Sequence, residues 1–233
     1  MMKFTEKIVV LCAFLLFMTA ATASVQKSAD DPQGDVQGIS GTVNMPDIDI
    51  KKITYSQADD GSVTITVQVY GSIDPNSVYM FTLNTTKNGE ESIYEVYYTK
   101  NKDFVYEWYG SENETELKAI EVISKNIQDI INGTFDILQG NILRVQFKLL
   151  NSSELPVNLM GLTMFMEYSS EVPSIGMDNA TIKFELPSQN NNQQNNNQQN
   201  QGNNNNKNGF PGFEAAFLIA AISIAALLRR KIL

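Results

Sequence analysis

The chain has 233 residues, with 26 Asp and Glu against 17 Lys and Arg for a net charge of −9, no histidine and one cysteine. These absences exclude a Ser-His-Asp triad, a disulfide within the chain, and zinc, copper, haem or iron–sulfur sites that need His or Cys ligands. Carboxylate chemistry and oxygen-ligated Ca²⁺ or Mg²⁺ remain. The acidic charge also argues against nucleic acid as a partner.

Residues 1–23 have the three parts of a secretory signal peptide. Lys3 precedes an apolar run, Ile8–Met18, and an Ala-x-Ala sequence closes the segment at Ala23. We expect cleavage after Ala23, which would also remove Cys12, the single cysteine. The apolar run is too short to span a bilayer comfortably. An uncleaved N-terminal anchor is the alternative.

Region 24–187 has the length of one globular domain and the pattern of β-strands. Apolar and polar residues alternate, as in half-buried strands, over three segments: Ser62–Tyr70, Leu143–Leu149 and Thr181–Leu186. β-Branched and aromatic residues predict further strands at Ile53–Tyr55, Val78–Leu83, Ile93–Thr99, Phe104–Tyr109 and Gly161–Tyr168. Many short strands predict an all-β fold, an antiparallel β-sandwich.

Two dipeptides predict tight hairpin turns between these strands. Asp60-Gly61 and Asn88-Gly89 both tolerate the positive φ angles that such turns require. The segment Leu117–Ile130 is ambiguous, because its Leu and Ile residues fit a helical face while Ala119–Ile123 also fits a strand. We expect a strand followed by a short helical turn.

Carboxylates concentrate where the domain begins. The candidate calcium ligands lie before the first predicted strand. They are Asp30, Asp31, Asp35, Asp47 and Asp49. Calcium binds several oxygens, often from carboxylates close in sequence, and these residues converge if the N-terminal segment folds onto the first strand. Their spacing is not that of an EF-hand. The alternative is a set of solvated turn residues that bond to their own backbone.

The same opening resembles a known class of domain. Asp31-Pro32-Gln33-Gly34-Asp35, then Asp47-Ile48-Asp49, then strands in plausible order up to Leu186 resemble DOMON-like and family 9 carbohydrate-binding-module-like β-sandwiches. The resemblance implies an extracytoplasmic sandwich that binds a ligand or acts as a scaffold. Haem-binding members use His or Met ligands, and without histidine a haem role is not expected here.

Aromatic residues cluster between positions 94 and 109. The candidates for a sugar-stacking surface are Tyr94, Tyr97, Tyr106 and Trp108, with Glu95 and Glu107 available for sugar hydroxyl groups. Alternation along a strand would place the rings on both faces, so half of them should belong to the core. Ordinary core packing and cross-strand pairing is therefore the alternative.

Five Asn-x-Ser/Thr sequons occur in the domain. They begin at Asn84, Asn113, Asn132, Asn151 and Asn179. N-glycosylation needs an exposed position in a secreted chain, and most of these sites are turn-like. We expect several to be occupied. The alternative is that the sequons only reflect an Asn-rich composition.

A polar tract follows the domain at 188–208. From Gln189 to Asn208 it contains only Asn, Gln, Gly202 and Lys207. Such a tract has no apolar side chains to bury and cannot offset the entropy of ordering, which predicts a flexible stalk. An aggregation-prone polar segment is the alternative.

The last segment, 209–233, has three parts: Pro211-Gly212-Phe213, an uncharged run from Ala215 to Leu228, and Arg229-Arg230-Lys231. The run makes about 21 Å of helix, short of a ~30 Å hydrocarbon core, and the basic end belongs on the cytoplasmic side. Together the parts resemble the archaeal PGF-CTERM sorting signal. The resemblance implies recognition by an archaeosortase, removal of the transmembrane helix and attachment of a membrane lipid. A lasting transmembrane helix is the simpler alternative.

These features together predict a non-enzymatic protein anchored at the extracellular face of the cell membrane. Envelope structure, including an S-layer, adhesion and ligand capture are the expected roles. The expected partners are a membrane lipid anchor, an archaeosortase-type enzyme, and glycan or S-layer components. A carbohydrate-binding module is one alternative. A glycan hydrolase with paired carboxylates is another, although the sequence singles out no catalytic pair.

Overall fold

The computed structural model describes residues 23–167 and 174–185, most of which lie in β-strands. The strands are β1 Ala23–Asp30, β2 Gln37–Gly38, β3 Gly41–Thr42, β4 Ile50–Ala58, β5 Ser62–Val69, β6 Val78–Lys87, β7 Glu90–Thr99, β8 Leu117–Ser124, β9 Ile127–Ile131, β10 Gly133–Leu138, β11 Ile142–Lys148, β12 Leu155–Glu167 and β13 Ser174–Lys183. One helix, α1, spans Lys102–Tyr109. Residues 1–22 of the predicted signal peptide, the predicted stalk and the predicted sorting signal, including Pro211, Gly212, Phe213, Arg229, Arg230 and Lys231, lie outside the described residues. Within the described ranges, no helix is both long enough and apolar enough to cross a bilayer.

The strands form two antiparallel sheets. The first has the order β1-β4-β5-β11-β10, and the second has the order β3-β2-β13-β12-β6-β7-β8-β9. The prediction of an all-β fold with two antiparallel sheets is confirmed. The chain passes from the second sheet to the first between β9 and β10, where a single residue separates the two strands.

Period-two alternation builds the core between the sheets. In β5, Val63, Ile65, Val67 and Val69 are all buried while the residues between them are not. They join inward-facing side chains of β6 and β7, such as Phe81, in one apolar cluster. Full burial of each such side chain contributes roughly 1.5–3 kcal/mol, so this cluster is the main source of stability.

Both predicted hairpin turns are present. Asn88 and Gly89 have φ angles of 55° and 83° and join β6 to β7 directly. Gly61, with φ 83°, joins β4 to β5. A Cβ atom at Gly61 would lie 2.7 Å from Cα of Ser152, so this turn requires glycine for space as well as for conformation.

The prediction of a strand at Phe104–Tyr109 is wrong, because this segment lies in α1. The side chain of Asn101 caps the helix by accepting hydrogen bonds from the N–H groups of Asp103 and Phe104, and Gly110 ends it in the left-handed conformation. Cap and glycine outweighed the β propensity of the aromatic residues between them. The helix packs its buried Val105 against β8 on the outer face of the second sheet.

The segment 117–131 contains two strands, β8 and β9, joined by a turn at residues 125–126. The expected strand is confirmed, and the expected helical turn is wrong. The spacing that mimics a helical face arises because β8 buries residues on both faces, with Ile120 in the core and Leu117 under α1. The last predicted strand is also shifted, since β13 ends at Lys183 and begins at Ser174.

Candidate metal centre

Four aspartates from separate parts of the chain meet at one margin of the sandwich. Asp31 follows β1, Asp35 lies in the next turn, and Asp49 immediately precedes β4. Asp178 lies in β13 of the other sheet, on the face that also buries Ala180. The cluster therefore joins the two sheets, and we call these four residues the aspartate cluster.

A glycine allows the N-terminal segment to approach β13. A Cβ atom at Gly176 would lie 2.4 Å from Sδ of Met45, 3.0 Å from Ile48 and 3.3 Å from Val36. Ile48 and Val36 are fully buried in this contact. Because Gly176 leaves this space, the segment between β1 and β4 closes over β13 and brings its carboxylates to Asp178.

The carboxylate oxygens are close enough to share one ion. One oxygen from each of Asp31, Asp35 and Asp178 lies within 4.8 Å of the other two. Two oxygens bound to the same Ca²⁺ at about 2.3–2.6 Å can lie at most about 5 Å apart. The observed spacing therefore fits three ligands of one calcium ion. Asp49 is the fourth carboxylate of the cluster, and its charge acts on Asp31 and Asp178.

Several of these oxygens are buried without a hydrogen-bond partner. Among the described residues four buried side-chain atoms have this property, and three belong to the cluster: Oδ2 of Asp31, Oδ1 of Asp35 and Oδ1 of Asp49. Asp49 is only 2% exposed. Buried polar atoms without a protein partner are uncommon in folded proteins, so three at one place mark this cluster as a candidate cation site.

Hydrogen bonds hold the residues of the aspartate cluster in position. The N–H of Gly34 donates to Oδ2 of Asp49 at 2.7 Å, and the N–H of Ile50 donates to Oδ2 of Asp178 at 2.6 Å. The Tyr70 hydroxyl donates to the main-chain carbonyl of Asp31 at 2.9 Å. These bonds preorganise the cluster, and they leave the partnerless oxygens free to bind an ion.

The cluster carries strong mutual repulsion. Burial, followed by the charges of Asp178, Asp35 and Asp49, raises the pKa of Asp31 to about 7. Burial raises the pKa of Asp178 to about 6, although N–H groups of Ile50 and Asn179 oppose the shift. Burial also raises the pKa of Asp49, against the hydrogen bond from Gly34. Within 23–167 and 174–185, no lysine or arginine forms an ion pair with these carboxylates.

Two of the five predicted calcium ligands lie apart from the cluster. Asp30 has a side chain 78% exposed and forms an ion pair with Lys52 at 3.1 Å. Asp47 is exposed, and its Oδ1 accepts a hydrogen bond from the N–H of Ser72 at 2.7 Å. Both perform the ordinary surface and turn roles that the sequence offered as the alternative.

Asp178 is the member of the aspartate cluster that the sequence did not reveal. Its signal was present, because the alternation that marks Ile182 as inward-facing continues back through Ala180 to Asp178. An acidic residue on the apolar face of a strand is uncommon unless it has a partner. Nothing in the sequence, however, places that partner 128 residues away, where Asp178 accepts the hydrogen bond from Ile50.

The predicted sugar-stacking residues do not share one surface. Tyr94 is fully buried in the core between the sheets. Tyr97 packs against Trp108 with ring centroids 4.6 Å apart, and both rings are only partly exposed. Tyr106 is 44% exposed on α1. Tyr94 is therefore unavailable for stacking on a sugar, and Trp108 serves mainly to fix α1 to the sheet.

The five sequons differ in exposure. Asn113 and Asn132 are exposed. Asn151 is half-buried, and its Oδ1 accepts hydrogen bonds from the N–H and hydroxyl of Ser153. Asn84 and Asn179 lie within β6 and β13, and Oδ1 of Asn84 is buried without a partner.

We compared the chain with protein-family models, with curated proteins and with solved structures, and none of them matches it.

Proposed function

We propose that this chain is a non-enzymatic β-sandwich, anchored at the extracellular face of the cell membrane, that binds one Ca²⁺ ion in the aspartate cluster. The ion holds the segment between β1 and β4 against β13 and so fastens the two sheets together. The protein then serves as a calcium-stabilised element in envelope structure, adhesion or ligand capture.

The observation that carries the cation site is the set of three buried, partnerless carboxylate oxygens. An acidic cluster alone would not suffice, because exposed carboxylates often lie near each other without an ion. Here Asp49 is almost completely buried, and one of its two oxygens has no donor. A cation supplies what burial has removed, since it replaces the lost water contacts and cancels the repulsion at the same time.

Calcium fits the donor set better than other common ions. All four side chains offer oxygen only, and oxygen ligands are those that hard cations prefer. Calcium also accepts irregular coordination with six to eight oxygens, whereas Mg²⁺ demands a near-ideal octahedron. A site assembled from two sheets and a turn suits the more tolerant ion.

A calorimetric titration of the purified full-length chain with CaCl₂ tests the site. We expect one bound ion per chain for the wild type and none for Asp178→Asn. Asp47→Asn is the matched control, because it removes a nearby carboxylate that lies outside the cluster. Equal binding by the wild type and Asp178→Asn would remove the aspartate cluster as the site.

The anchoring part of the proposal rests on the termini. The segment 209–233 combines a Pro-Gly-Phe sequence, an apolar run and a basic end, and the signal-peptide pattern at 1–23 would send the chain across the membrane. Mass spectrometry of the mature protein is the test. We expect a start at Ser24 and a lipid-modified C-terminus in place of the helix. An intact Leu233 on surface protein would make the helix the anchor itself.

A further inference from the structure

The free edges of the two sheets meet at a single residue. Strand β9 is the last strand of the second sheet, and β10 is the last strand of the first. Asn132 alone separates the end of β9 at Ile131 from the start of β10 at Gly133. Edge strands present unpaired N–H and C=O groups, which are templates for pairing with another chain.

These two edges have only part of the usual protection against such pairing: both strands are short, and each carries one aspartate, Asp129 in β9 and Asp136 in β10. Lysine and proline, which commonly block edge strands, occur in neither β9 nor β10. Ile130 is 61% exposed, and Ile127 and Ile137 are each 43% exposed. An exposed apolar edge strand is a predicted site of self-association.

At the connection between β9 and β10, the side chain of Asn132 lies on the outer face. A Cβ atom at Gly133 would lie 2.2 Å from Cδ1 of Ile120 and 2.9 Å from the carbonyl oxygen of Gln146, so position 133 faces inward and only glycine fits. Ile131 and Phe135 pack against the core on the same inward side. Asn132 and Thr134 alternate with these residues, and both are exposed.

The sequon Asn132-Gly133-Thr134 therefore presents its acceptor side chain, Asn132, and its recognition side chain, Thr134, at the place where the edges meet. Asn84 differs, because its amide oxygen is buried and its strand is paired on both sides. Asn113 is exposed like Asn132, but it lies in the loop between α1 and β8, away from both of these edge strands in the chain.

We propose that Asn132 carries an N-linked glycan that covers the free edges of β9 and β10 and prevents this protein from pairing with copies of itself. The inference rests on the export proposed above, because the donor is a lipid-phosphate-linked oligosaccharide that a transferase presents outside the cytoplasm. The Asn132 amide nitrogen forms a bond to the anomeric carbon, the bond from that carbon to the phosphate oxygen breaks, the lipid phosphate leaves with the electron pair, and a base of the transferase takes the amide proton.

A hydrated glycan suits this position for a physical reason. It is bulky and soluble, and an attachment at Asn132 lies next to both β9 and β10. Steric cover at an edge acts in the same way as a β-bulge that twists the edge away or an edge lysine, since each prevents a second strand from docking.

The test uses the full-length chain expressed in a host whose membrane carries lipid-linked oligosaccharides. Glycopeptide mass spectrometry reports occupancy, and light scattering after size exclusion reports the molar mass. We expect a glycan on the Asn132 peptide of the wild type and a monomeric protein. Asn132→Gln and Thr134→Ala should each lose that glycan and form dimers or larger assemblies.

Two controls separate shielding from a general effect of mutation or of lost sugar. Thr134→Ser keeps the sequon and should remain glycosylated and monomeric. Asn113→Gln removes an exposed sequon elsewhere and should remain monomeric. An exported wild-type chain with an unmodified Asn132 overturns the inference. Monomeric Asn132→Gln and Thr134→Ala proteins, both without the glycan, overturn it as well.

Failure of this inference can be told apart from failure of the proposed function. A chain that is found only in the cytoplasm and carries no glycan overturns both export and the glycan. An exported, calcium-binding chain that lacks sugar at Asn132 overturns the glycan alone, since the aspartate cluster lies at β1, β4 and β13 and shares no residue with β9 or β10.

Discussion

Among the described residues, carboxylates are buried at two places, and the two places differ in the hydrogen-bond donors that the carboxylate oxygens have. Glu154, at the start of β12, is 4% exposed, yet both of its oxygens have hydrogen-bond donors. Oε2 accepts from the hydroxyls of Thr85 at 2.6 Å and Tyr94 at 2.9 Å, and Oε1 accepts from the N–H of Asn151 at 3.1 Å. In the aspartate cluster, Asp49 is equally buried but leaves one oxygen without any donor.

The difference separates a structural carboxylate from a binding one. Burial of an ionised group is tolerable only if hydrogen bonds or an opposite charge replace the lost water. The Glu154 centre is complete with protein donors alone, so it holds the loop before β12 in place and needs no ligand. The aspartate cluster contains four acids, three oxygens without a donor and no ion-paired base within the described residues, and the proposed cation would supply the missing partner.

The largest effect should come from Glu154→Ala. This change leaves two hydroxyls and one N–H inside the protein without their acceptor, and each such loss costs about 1–3 kcal/mol. We expect the free energy of unfolding in urea to fall by roughly 3–5 kcal/mol. The loss should be the same with calcium and with chelator. A loss confined to calcium-loaded protein would mean that Glu154 belongs to the cation site after all.

Removal of calcium should give the next largest loss of stability. Substitutions in the aspartate cluster should abolish this loss, and substitutions of Glu154 should not. At a calcium concentration 100 times the dissociation constant, binding stabilises the folded state by about 2.7 kcal/mol. A chelator should abolish this increment in the wild type. Glu154→Gln should keep the increment, and Asp49→Asn should lose it. An unchanged melting midpoint on chelation would contradict the contrast between the two centres.

The parts of the fold that the sequence revealed are those set by local pattern. Alternation predicted β5 and β11 to within about a residue at most ends, and Asn88-Gly89 predicted its hairpin, because both signals depend on neighbouring residues alone. Helix α1 was missed although Asn101 and Gly110 are good caps, since the aromatic residues between them have high strand propensity.

The sequence predicted the aspartates of the aspartate cluster that precede β4, and it did not predict Asp178. Asp31, Asp35 and Asp49 lie within one short segment, so their convergence could be expected from proximity in the chain. Asp178 joins them through the packing of β13 against that segment, and the pairing of distant segments leaves no local mark in the sequence. The same limit applies to Glu154, whose donors come from three separate parts of the chain.

The pH dependence of stability should distinguish the two centres further. The folded-state pKa of Asp31 is about 7, against 3.8 for an ordinary aspartate. Between these values the folded chain binds more protons than the unfolded chain, so stability is fully present below about pH 4 and falls as the pH rises toward 7. Chelated wild type should show this fall, and Asp31→Asn should show a smaller one, because burial still raises the pKa of Asp178 to about 6. Saturating calcium should offset it, because the ionised cluster binds the ion. A chelated wild type that gains stability relative to Asp31→Asn over this range would contradict the repulsion.

A matched pair of tyrosine substitutions provides the finest distinction between the centres. Tyr94→Phe removes a hydroxyl that donates to the Glu154 carboxylate and accepts from the N–H of Leu150, so we expect a loss of about 2 kcal/mol. Tyr70→Phe removes a hydroxyl that donates only to the main-chain carbonyl of Asp31, so we expect a loss of about 1 kcal/mol. Urea unfolding of both variants, each with calcium and with chelator, measures these losses.

Both tyrosine losses should be independent of calcium, and the reason differs between the two. Tyr94 belongs to a centre whose carboxylate already has protein donors at both oxygens. Tyr70 lies beside the aspartate cluster, but its hydroxyl contacts the backbone of Asp31 and none of the partnerless oxygens. If Tyr70→Phe abolished calcium binding while costing little stability in chelator, the position of the Asp31 backbone would itself be part of the cation site. The cluster would then depend on β5 as well as on β1, β4 and β13.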